Sequence, residues 1–124
     1  MRDILIVGGG LNGSALALAL AQAGLGAALI DPTPEAIHRR SDFDGRGYAL
    51  SAGSRRMLEA LGLWGQIADH AQPILDIRVS DGHAGDGAWP GTLHFDHAEI
   101  EDGPMGHVVE DRYLRRAFLD ALEG

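Results

Sequence analysis

A chain of 124 residues sets the ceiling at one domain or a part of one. Its formal net charge of −8 repels phosphate backbones and gives no pull toward anionic lipid, which argues against nucleic acid as a partner. With no cysteine, disulfide scaffolds, thiol nucleophiles and cysteine-ligated zinc or iron–sulfur centres are excluded, and a reducing, cytoplasmic setting fits.

The first element is the run Asp3 to Val7, apolar from Ile4, β-branched in part and stopped by glycine, which predicts a short central parallel strand buried on both faces. From Leu11 to Ala23, Ala15, Leu16, Ala19, Leu20 and Ala23 recur at helical spacing, and Gly24 stands where a left-handed cap ends a helix. The stretch from Ser14 to Ile30 is apolar enough to raise a signal peptide or membrane span. Arg2 and Asp3 cancel in charge, however, and Gly8, Gly9, Gly10, Asn12 and Gly13 interrupt the would-be apolar core, so both are rejected. Ala27 to Ile30 makes a second strand, closed by Asp31 and the prolines of "DPTP". Strand, helix and strand fit the length of about 30 residues that one right-handed βαβ unit needs.

Beyond Pro34 the mixture of charge and glycine in "EAIHRRSDFDGRGYAL" predicts a surface connection without regular structure. Helix returns at "SAGSRRMLEALG", with Ser51 or Ser54 as the cap, Met57, Leu58 and Leu61 as the apolar stripe and Gly62 as the stop. Leu63, Trp64 and Ile67 are expected to join the same core. Leu75, Ile77 and Val79, then Leu93 and Phe95, alternate with polar residues, and Val108 and Val109 form a third run; these predict antiparallel strands with one wet face. A last helix begins at Asp111, its expected cap, with Leu114, Ala117, Phe118, Ala121 and Leu122 on one face. The fold class is α/β.

Gly8, Gly10 and Gly13 keep the GxGxxG spacing between the first strand and the first helix. Gly8 permits the tight turn, Gly10 lets backbone approach a pyrophosphate, and Gly13 lets helix and strand pack closely. The free amides at the helix start, on Leu11, Asn12 and Gly13, then face the anion with the helix dipole behind them. In a chain with 18 glycines the triplet alone is weak. Its context strengthens it: Asp31 falls at the tip of the second strand, about 20 residues on, where a carboxylate accepts from both ribose hydroxyls of an adenosine and repels a 2′-phosphate. The spacing does not separate FAD from NAD, because both carry the same ADP half.

"GRGYALSAGSRRMLEALGLWGQI" and "GHVVEDRYLRRAFLDAL" resemble the flavin-dependent aromatic hydroxylases, closest to the ubiquinone-biosynthesis branch typified by 2-octaprenyl-6-methoxyphenol hydroxylase. The resemblance covers essentially the whole chain. It implies FAD bound in extended form, NAD(P)H as reductant, and insertion of one oxygen atom from O₂ into a phenolic ring. It further implies that Gly8, Gly10 and Gly13 hold the pyrophosphate and Asp31 the adenosine ribose, that Arg46 approaches the cofactor, and that Arg112 contacts the ribityl and phosphate region.

On this reading the chain holds an FAD-binding segment over 1–73, antiparallel strands of a substrate-domain sheet over 74–110, and a helix over 111–124 returning to the FAD domain. It is a Rossmann-like βαβ unit with the beginning of a second sheet, an incomplete domain. The family's later Gly-Asp cofactor motif is not matched, so the expectation is an N-terminal portion that is inactive alone. A greasy quinone precursor as substrate would draw the parent protein to the inner face of the membrane. The rival readings are an NAD-dependent dehydrogenase and a non-catalytic nucleotide-binding fragment. A metal site is not expected: His94, Asp96 and His97, with His83 nearby, lack a third ligand fixed by spacing. No serine sits in a G-x-S-x-G elbow. No catalytic acid or base is assigned.

Overall fold

A computed structural model describes residues 2–82, 85, 91–99 and 103–123. The elements in chain order are β1 (Ile4–Val7), α1 (Leu11–Gln22), β2 (Ala27–Ile30), α2 (Glu35–His38), β3 (Gly47–Ser51), α3 (Ala52–Ala60), α4 (Trp64–Ile67), β4 (Ala71–Ile74), β5 (Asp76–Ser80), β6 (Thr92–Asp96), β7 (Gly106–Glu110) and α5 (Asp111–Glu123). β1 and β2 pair in parallel, Ile4 opposite Ala27 and Val7 opposite Ile30, which closes the βαβ unit read from the sequence. The helices α1 and α3 are followed by Gly24 and Gly62, both at positive φ, where the sequence placed their stops.

The core lies where α1, α3, α4 and α5 meet β7, and is built from Leu18, Leu58, Leu63, Ile67, Val109, Leu114, Ala117 and Phe118. Leu63 and Ile67 are enclosed completely or nearly so, as their place just after α3 suggested. On α5 the buried residues Leu114, Ala117 and Phe118 follow the predicted stripe, with Ala121 and Leu122 packed at its edge.

Several expectations are corrected. β1 is not buried on both faces: Ile6 is enclosed, but Leu5 and Val7 are exposed, because β1 has β2 alone as its partner among the described residues. The buried face of α1 is Ser14, Ala17 and Leu18, whereas Leu16 is half exposed; a helix apolar nearly all round carries no periodic signal to orient it. Met57 is likewise exposed, leaving Leu58 as the inward residue of α3. The connection after Pro34 contains a short helix and a strand, β3, whose hydrogen-bond partner comes from the far end of the chain.

The strands over 74–110 fall in two sheets. β7 is the central strand of an antiparallel sheet ordered β3-β7-β4, while β5 and β6 form a separate ribbon. In that ribbon Ile77 faces Phe95 and Val79 faces Leu93 across the ladder, and all four are exposed. The long glycine-rich loop between β5 and β6, with His83, lies largely outside the described residues.

Candidate functional site

The turn between β1 and α1 is locked by four contacts. Gly8 adopts φ +109°, a backbone region that side chains disfavour, and its N–H continues the ladder to Ile30 O at 2.8 Å. Gly9 donates its N–H to Asp31 Oδ2 at 2.5 Å, and its carbonyl accepts from the buried Ser14 hydroxyl at 3.3 Å. A side-chain carbon at Gly13 would stand 1.8 Å from Gly8 O, so the helix approaches the turn as closely as backbone allows. The space beside Gly10, by contrast, holds no atom within 4 Å.

That opening lies at the start of α1. Gly10 is the N-cap and offers no capping side chain, and the first turn contains no acidic residue. The amides of Leu11, Asn12 and Gly13 have no acceptor within the helix, so they and the helix dipole face outward unopposed. This cradle suits a diphosphate, which needs donors and room but no adjacent cation.

Asp31 caps the other side of the turn. Its Oδ1 accepts from Thr33 N at 2.7 Å and lies 3.4 Å from His38 Nε2. Hydrogen bonds from the Thr33 and Gly9 amides hold its carboxyl well below the usual carboxylate range, so it is charged at neutral pH. A carboxylate has about four lone-pair sites. The amides of Gly9 and Thr33 take two of them, and the side chains of Thr33 and His38 also face the carboxylate, so a sugar hydroxyl would share it with these side chains.

A cleft of about 860 Å³ connects these parts, inside the range of ~300–1,000 Å³ usual for ligand sites. Gly8 and residues 10–13 form one wall, Thr33, Ile37 and His38 a second, and Leu50, Met57, Leu58, Leu114 and Phe118 an apolar floor. Asp31 does not itself line the cleft, but Thr33 and His38, its neighbours, do. Arg46 lines it as well. Its Nε and Nη2 donate to Asp44 Oδ2 at 2.9 and 2.5 Å, and that pairing holds the Asp44 carboxyl down at about 2.

Of the residues singled out in the sequence, Gly8, Gly10, Leu11, Asn12, Gly13 and Arg46 meet at this cleft, with Asp31 bonded to its rim. Arg112 does not line it. Its Nε donates to Glu110 at 2.6 Å and its Nη1 to Ser41 O at 3.0 Å, and it borders a smaller depression of about 340 Å³ with Tyr113 and Arg116. Sequence reasoning missed Ser14, Asp111 and Arg115. The last two line the cleft and pair with each other one helical turn apart, a spacing that the i,i+4 rule for opposite charges would have found. Asp111 opens α5 as expected, but its carboxylate faces Arg115 and Arg46.

His94 bonds Asp76 at 2.6 Å, and His97 lies beside Asp96; among the described residues no group of three metal-binding side chains occurs. No described helix is long and apolar enough to cross a membrane.

Comparison with known proteins follows this geometry. Residues 1–111 match the family described as FAD binding domain. The ubiquinone hydroxylase UbiL of Rhodospirillum rubrum is 46% identical over 123 residues, covering 98% of this chain and 27% of the relative. The 3-demethoxyubiquinol 3-hydroxylase of Escherichia coli is 36% identical over 125 residues, covering 98% of this chain and 30% of the relative. The chain therefore spans between a quarter and a third of the length of these relatives. Among solved structures, p-nitrophenol 4-monooxygenase PnpA from Pseudomonas putida shares the fold with a TM-score of 0.68 at 20% identity, over 99% of this chain and 28% of that one. HpxO of Klebsiella pneumoniae, complexed with FAD and uric acid, does so with a TM-score of 0.67 at 17% identity, over 98% and 28%.

Proposed function

The chain belongs to the FAD-binding domain family, and from that premise we propose that it forms the dinucleotide-gripping part of an FAD-dependent monooxygenase that hydroxylates a phenolic ring. The observation that carries the reading is the bond between Gly9 and Asp31, which ties the acid at the end of β2 to the turn that leads into the open helix N-terminus at the cleft. The names of the relatives support a ubiquinone precursor as the substrate class; NAD(P)H as reductant and O₂ as oxygen source are proposed from the family resemblance alone. The NAD-dependent dehydrogenase reading is not favoured, since these relatives are hydroxylases by name.

In this proposal the amides of residues 10–13 bind the diphosphate and Asp31 accepts from the adenosine ribose. Arg46, which also lines the cleft, supplies a cation. Bound FAD supplies the oxygen-transfer chemistry; the chain's own part is to bind, orient and exclude water. Leu50, Leu58, Leu114 and Phe118 give the cleft an apolar floor, which strengthens each hydrogen bond made above it. Arg112 is proposed to reach the ribityl side only if it exchanges its bond to Glu110 for one to the cofactor. The 124 residues alone are proposed to lack turnover, and association of the whole protein with the membrane face is proposed from the greasy substrate class.

The test is direct. Full-length protein should purify with flavin absorbance, and Asp31→Ala should weaken FAD retention by about tenfold or more, the loss of one charged hydrogen-bonding partner. A colourless protein that binds no added FAD, or an Asp31→Ala variant with unchanged affinity, would overturn the reading.

A further inference from the structure

The side chain of Asp111 is 3% exposed, close in sequence to the core residues Val109 and Leu114. A charge enclosed to that degree is tolerated only when paired. Its partner along the helix is Arg115, whose side chain is 12% exposed, and Arg46 Nη2 lies 3.4 Å from the same oxygen. Asp44 joins from the other side, bonded by Arg46 and lying 3.3 Å from Arg115 Nη2. Two acids and two bases thus alternate in a closed ring. The Asp111 amide also donates to Arg46 O at 3.0 Å, so the start of α5 fixes both the backbone and the head of Arg46.

We infer that Asp111 and Arg115 are positioning residues for Arg46, holding its guanidinium at the cleft wall for an anionic ligand, the diphosphate of the dinucleotide. The inference rests on the FAD reading above. Arg46 is the exposed member of the ring, at 56%, and among the described residues its Nη1 donates to no group, which leaves two N–H donors for a ligand. A free arginine loses much rotamer freedom when it grips an anion. One already held by its neighbours loses less, so Asp111 and Arg115 raise affinity by acting through Arg46.

A double-mutant cycle on FAD affinity, read by flavin fluorescence with full-length apoprotein, tests this. Arg115→Met should weaken FAD binding about fivefold where Arg46 is present and leave it unchanged in the Arg46→Ala background, the signature of residues that act through one another. Arg115→Lys should restore part of the loss. Asp44→Asn, at the more exposed side of the ring, provides the same cycle if Arg115→Met fails to fold. Equal losses in both backgrounds, or no loss with Arg46 present, would overturn the inference while leaving FAD binding intact. Failure of the unaltered protein to bind FAD would instead overturn the cofactor reading, and this inference with it.

Discussion

Gly9 and Asp31, just beyond the paired ends of β1 and β2, share a hydrogen bond of 2.5 Å that makes the glycine turn and the acid at the end of β2 one mechanical unit. A side-chain carbon at Gly9 would stand 2.9 Å from Asp31 Cβ, so the bond exists only because that position lacks one. The acid's place thus depends on a glycine outside the GxGxxG triplet.

The glycines of the triplet are expected to separate folding from binding. Gly13→Ala forces a methyl against Gly8 O and should cost about 3 kcal/mol, at the upper end of overpacking effects, in urea denaturation. Gly10→Ala has φ −70° and open space, so stability should stay within about 0.5 kcal/mol. FAD retention, however, should fall in the Gly10 variant, because the new methyl occupies the opening meant for the diphosphate. A Gly10→Ala protein that binds FAD normally would show that the ligand does not lie there.

Asp31 should make stability depend on acid pH with a definite sign. Its folded carboxyl is held below the unfolded value of about 3.9, so the anion is favoured by folding. The stabilisation is complete above about pH 4 and is lost as pH falls toward the folded value. Asp31→Asn should lower the urea midpoint at pH 7 and lose that difference in strong acid. A gap between the two proteins that widens on acidification would contradict the assignment.

Ser51 caps α3 by accepting from Ser54 N at 3.1 Å, and Ser51→Ala should cost about 1 kcal/mol. Equilibrium unfolding of the variant, with FAD absent, checks this without reference to the site.

Ile67 is fully enclosed at the meeting of α4 with the core. Ile67→Ala should cost about 2–5 kcal/mol, the range for deleting a large aliphatic side chain from a packed interior, measured by the same denaturation. A smaller effect would show that the surrounding helices collapse into the space.

The turn, Asp31 and the stripe of α5 were legible because each is written locally: a glycine spacing, a strand end, a helical period. β3 was not, since "GYALS" gains its strand conformation from β7, and Tyr48 meets Val109 only after most of the chain has intervened. The orientation of α1 was illegible for the opposite reason: alanine and leucine on every side give no preferred face, and the polar Ser14 turned inward to bond Gly9. At the cleft, Arg112 was singled out by resemblance, whereas Arg115, one turn from Asp111, lines the wall.

The central position of β7 has a consequence for assembly order. Gly47–Ser51 and Ala71–Ile74 share no border of their own and are joined only through Gly106–Glu110. During synthesis the parallel pair near the amino end is complete while those two segments still lack their common template. The second sheet can therefore close only after Gly106–Glu110 has been made, and Arg46 can gain its contacts to Asp111 only after the start of α5.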